Sequence, residues 1–162
     1  MSYAVPAPDA WTGDAWPGGE WPGDEDGSPG NVLAEDQCVI GGEHYFIRGL
    51  IEIPVLDGEP GDVFSWNVWC SLSEKNFDRA QELWETPGRE SEPPYFSWVS
   101  NDVGIYEPAT LNLKAMVHTR EIGRRPFVEL EPTDHPLAVE QRTGITLDRV
   151  RAIAQRVMHG DG

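Results

Sequence analysis

Between Cys38 and Glu131, apolar and polar side chains alternate in short runs, the period of strands with one face buried. The run "CVIGGEHYFIRGLIEIPVL" predicts a hairpin: a short strand over 38–41, a turn at Gly41-Gly42, and a long strand over 44–56. In the long strand Tyr45, Ile47, Ile51 and Ile53 share the face expected in the core. His44, Phe46, Arg48, Leu50 and Glu52 share the other, expected to be partly open. The next strand, 63–73, sets Phe64, Trp66, Val68 and Cys70 against Ser65, Asn67, Trp69 and Ser71. Three more follow, at 95–100, 110–120 and 126–131, the last two joined by a turn at Gly123-Arg124-Arg125. In the second of these Leu111, Leu113, Ala115 and Val117 point inward, opposite Asn112, Lys114, Met116, His118 and Arg120. In the last, Val128 and Leu130 oppose Phe127, Glu129 and Glu131.

The period changes to that of a helix in three places. Phe77, Ala80 and Trp84 mark a helix over 74–85, capped by Ser73 and ended before Pro87-Gly88. A short helix is expected over 136–142. Gly144 breaks it, and Thr146 caps a second one with Val150, Ile153, Ala154 and Val157 on its apolar stripe. In the corner "ELEPTDHP", Pro132 ends the strand ladder, Asp134 is expected to cap the helix and Pro136 fits its first turn. This order predicts an α+β fold. It comprises a mainly antiparallel sheet of five to six strands, one central helix and two C-terminal helices.

Composition adds a leader. The net charge is −16, and eight of the 28 acids fall in the first 37 residues, which hold no Lys or Arg. Residues 1–31 read as an acidic Trp/Pro/Gly-rich tail, disordered or draped on the body, ahead of a single domain over 32–160. Its Trp11, Trp16 and Trp21 are candidates, with Trp69, for contact with a partner. The acidic balance disfavours nucleic acid and anionic membranes and suits a basic protein partner. No run reaches the length of a membrane span, and the start lacks a basic segment and an apolar stretch, so a cytoplasmic location is expected. Cys38 and Cys70 form no CxxC pair, which excludes a zinc ribbon within this sequence.

The blocks "DQCVIGGEHYFIRGLIEIPV", "FSWNVWCSLSEKNF", "PPYFSWVSN", "TLNLKAMVHTR" and "RPFVELEPTDHPLAVEQRTGIT" resemble the bacterial family called domain of unknown function 2199. The resemblance covers roughly residues 33–159 and implies a bacterial cytosolic protein with no assigned activity. Family members often begin with a short cysteine pair of zinc-knuckle type. That segment is missing here, so no metal role carries over from it.

The candidate chemistry is a polar sheet face. His44, Arg48 and Glu52 project from one side of their strand, and Asn67, Lys114, His118, Glu129 and Glu131 are placed to share it, with His135 at its edge. Such a face is either a polar cleft or a solvated surface laced by ion pairs. A metal site of His44, His118 and His135 with Glu129, Glu131 or Asp134 would need tertiary closure, because no two histidines have ligand spacing. No GxSxG elbow surrounds Ser71 or Ser73. The helix pair after Gln141 lacks the basic face of a DNA reader. No cofactor is called for. Two readings stand. One is a small acidic binding module, in the manner of an inhibitor or immunity protein. The other is a small-molecule-binding protein or enzyme using the polar face, which requires those side chains to converge in a concave pocket.

Overall fold

The computed structural model describes residues 2–9 and 32–158. Trp11, Trp16, Trp21 and most of the predicted tail lie outside them. Among the described residues the chain runs β1 (Ser2–Ala4), β2 (Val32–Leu33), β3 (Gln37–Ile40), β4 (His44–Pro54), β5 (Val63–Leu72), α1 (Glu74–Glu82), a 3₁₀ turn (Arg89–Ser91), β6 (Tyr95–Trp98), β7 (Lys114–His118), β8 (Phe127–Leu130), α2 (Pro136–Thr143) and α3 (Leu147–Met158).

The α+β class and the three helices agree with the pattern, but the sheet does not. It has eight strands and is mixed, in the order β1-β5-β4-β8-β7-β6 with β3 and β2 branching from β4. The β4–β5 hairpin is antiparallel over ten residue pairs, whereas β1 lies parallel to β5 and β8 parallel to β4. Alternation gives a strand its faces and says nothing of its neighbour's direction, so the mainly antiparallel expectation fails at these two pairings. Ser2–Ala4, placed with the tail by sequence, becomes an edge strand against Ser65–Asn67.

The sheet curls until β6 comes back to β5, where Cys70 and Val99 form a bridge and Ser100 N donates to Trp69 O at 2.8 Å. The inner face is therefore concave. It carries Ile47, Ile51, Ile53, Phe64, Trp66, Val68, Cys70, Val99, Val117 and Val128, with Leu137, Ala138 and Ile153 from the C-terminal helices. The outer face is not uniformly open. Leu33, Cys38, Phe46 and Trp69 form a second, smaller cluster there, with Ala7 against it. Trp69 is fully buried, contrary to its expected place on a contact surface. Its indole donates to Val5 O (2.9 Å), so residues 5–9 strap over it.

Local signals held where the partner is local. Ser73 caps α1 by accepting from Asn76 N, and Thr146 Oγ1 accepts from Arg149 N at the start of α3. Asp134 does not cap α2. His135 does, its Nδ1 accepting from Leu137 N at 3.1 Å. The imidazole is oriented from outside the corner, because Nε2 donates to Pro108 O at 2.7 Å.

Candidate functional site

Strand β4 is flanked on one edge by two strands in turn. β3 pairs with residues 44–47, and β8 begins opposite Leu50. Arg48 N donates to Asp36 O (3.0 Å) and Leu50 N to Pro126 O (2.9 Å). Upstream of those two carbonyls neither segment pairs with β4. Gly49 lies between the two contacts. A Cβ there would meet Val128 Cγ2 at 2.6 Å and Pro126 O at 3.3 Å, so β8 can come this close only to a glycine.

The split opens a cleft of about 820 Å³, within the range of small-molecule sites, roughly 300–1,000 Å³. Its lining is unusual for an acidic chain. Five of the ten arginines, Arg48, Arg89, Arg120, Arg124 and Arg125, border it, against three carboxylates, Asp36, Glu52 and Glu85. The lining also has apolar members, Ile47, Leu50, Leu83, Trp84, Ile122 and Pro126.

The guanidiniums play different parts. Arg89 holds the 119–125 loop by donating to the carbonyls of Arg120 (2.7 Å), Glu121 (3.0 Å) and Arg124 (3.2 Å), while its plane lies over the Trp84 ring. Arg120 grips Glu52 with both terminal nitrogens, at 3.0 and 2.8 Å, a bidentate fork. Arg125 Nε donates to Asp36 at 2.6 Å and its Nη1 to Asn67 Oδ1 at 2.9 Å. Arg48 has no carboxylate bond. It donates to the carbonyls of Glu35 and Val5 and stacks on Trp69 at 5.1 Å, leaving its buried Nε without a partner among the described residues. Burial first, then the charge of Arg125, holds Arg48 below its ordinary pKa. A further negative charge in the cleft would relieve that cost.

The sheet register does place Arg48, Glu52, Asn67, Glu129, His118 and Lys114 on one face. Of the predicted polar face only Arg48, Glu52 and Asn67 line the cleft. His44, Lys114, His118, Glu129 and Glu131 lie outside it. His118 pairs with Glu129 at 2.9 Å, Lys114 lies over Trp98 at 5.6 Å, and His44 and Glu131 are exposed. His135 is buried as a helix cap and does not reach that face. The three histidines thus do not converge. No group of three or more His, Cys, Asp or Glu among the described residues is placed to hold a metal ion. Cys38 and Cys70 are free, buried thiols whose pKa burial pushes up to about 12, so neither is poised as a nucleophile.

Sequence reasoning missed Asp36, Arg89, Arg124 and Arg125, and left Arg120 outside the candidate set. One signal was present. "TREIGRR", residues 119–125, packs three arginines into seven positions of a strongly acidic chain, at a hairpin turn.

The family model described as uncharacterized protein conserved in bacteria, domain of unknown function 2199, matches residues 1–145. No curated protein and no solved structure matches the chain.

Proposed function

The chain belongs to this family of uncharacterized bacterial proteins, and from that premise we propose that it is a small-molecule-binding protein whose ligand is an anion held in the split of the sheet. The observation that carries this reading is the gathering of five of ten arginines around one cleft in a protein of net charge −16. Elsewhere the charge repels anions, so a local excess of guanidinium has to be built and held by the fold. Arg89 does the holding, through backbone carbonyls. Arg125 and Arg48 supply donors at the polar end. The forks of arginine match two-oxygen anions, and the apolar members of the same lining give a ligand body somewhere to sit.

Binding is favoured over catalysis by the lining itself. It includes no histidine, cysteine or lysine, and Asp36 and Glu52 are each held by a guanidinium. The experiment is calorimetric titration with small carboxylates and phosphates at physiological ionic strength. At least one class should bind, and Arg125→Ala should weaken it about tenfold or more, as loss of a charge-assisted hydrogen bond requires. Absence of binding by every anion, or indifference to Arg125→Ala, sinks the reading.

A further inference from the structure

The polar end of the cleft already shows which anion it accepts. Four carboxylates of the chain itself reach its guanidiniums: Glu52 at Arg120, Glu121 at Arg124, and both Asp36 and Glu35 at Arg125. They are not held alike. The Glu52 and Asp36 side chains are 22% and 30% exposed and lie within 2.8 Å of their arginines, whereas Glu35 is 80% exposed and 3.6 Å away. A pair as open and long as the last contributes little, so Glu35 is the carboxylate that yields at least cost.

Two further features narrow the class. Five guanidiniums stand against the three lining carboxylates and the Glu121 that pairs with Arg124, so displacing Glu35 leaves an excess of one, which suits one negative charge and not several. The surrounding surface is strongly acidic and disfavours approach of a polyanion. In the same lining Trp84 and Ile122 are 37% and 45% exposed, large apolar groups with area left to cover. Trp84 also borders the shallow groove beside the cleft, which Glu35 lines. A ligand with its head at Arg125 and its body along Trp84 would therefore run past Glu35.

We propose that the ligand is an apolar-bodied monocarboxylate, whose carboxylate takes the place at Arg125 now held by Glu35 and whose body covers Trp84 and Ile122. This rests on the cleft being a ligand site. Its test uses the full chain, with octanoate and 4-phenylbutyrate as probes, the matching alcohols as uncharged controls, and inorganic phosphate and AMP as rival anions. The two carboxylates should quench or shift Trp84 fluorescence and bind at least about tenfold tighter than the alcohols or phosphate. Glu35→Gln, a change at an exposed side chain, should tighten carboxylate binding about two- to fivefold by removing the internal competitor. Phosphate or AMP binding as tightly as the carboxylates would overturn the ligand class. Unchanged or weaker carboxylate binding in Glu35→Gln would overturn the displacement. Either result leaves the anion cleft standing so long as Arg125→Ala still weakens binding. If none of the anions binds, both this inference and the cleft reading fall together.

Discussion

His135 shows how a residue's role is fixed by a segment remote in sequence. Its ring accepts from Leu137 N and donates to Pro108 O, so Nδ1 is an acceptor and Nε2 carries the hydrogen. Asp134, one position earlier, is the better capping type by preference, yet it is exposed and the helix starts after His135. The consequence is measurable by chemical denaturation. His135→Ala should cost about 1–3 kcal/mol, through the lost cap, which leaves the buried Leu137 N without its acceptor, and the lost bond to Pro108 O. Asp134→Ala should stay within about 0.5 kcal/mol. Equal losses at the two positions would return the cap to Asp134. Ser73 was legible in advance because its acceptor and donor are three residues apart; His135 was not, because Pro108 lies 27 residues upstream.

At the scale of elements, β4 decides where a site can be. It serves β5 along one whole edge and divides the other between β3 and β8. Gly49 allows that division, because the Val128 side chain fills the space of its missing Cβ. Gly49→Ala should cost about 1–3 kcal/mol by overpacking, and should also weaken cleft binding, because β8 and the arginine loop before it must shift together. Loss of stability with binding intact would separate β8 from the cleft. The alternation along β4 was read correctly, and it put Arg48 and Glu52 on the right face. It did not reveal the two neighbours on one edge, since strand periodicity carries faces but not pairing partners. The tight Arg120–Glu52 fork likewise joins positions 68 residues apart.

Over the whole molecule, two apolar clusters lie on opposite faces of one sheet, and each holds a buried thiol. Cys70 is in the large inner core; Cys38 is in the small outer cluster beneath residues 5–9. With both pKa values raised to about 12, thiol labelling at mildly alkaline pH reports opening of the structure rather than ionisation at its surface. Native labelling should be slow at both sites, complete in denaturant, and faster at Cys38 than at Cys70. Deleting residues 1–9 should speed Cys38 selectively. Equal rates at the two thiols would mean the outer cluster opens only with the whole fold. No helix among the described residues is long and apolar enough to cross a membrane.

The sequence by itself determined the α+β class, the faces of the long strands, the α1 cap and the acidic charge balance, because each depends on neighbours a few residues apart. It also exposed the family, through long blocks in a fixed order. Only the tertiary structure decided that Trp69 is buried, that β1 and β8 pair in parallel, and that Arg48, Arg120 and Arg125 meet at one cleft while His118 and His135 do not join them. Those outcomes depend on which segment covers a face and which strand takes an edge. Both are set by packing across tens of residues, where the period of a single segment carries no information.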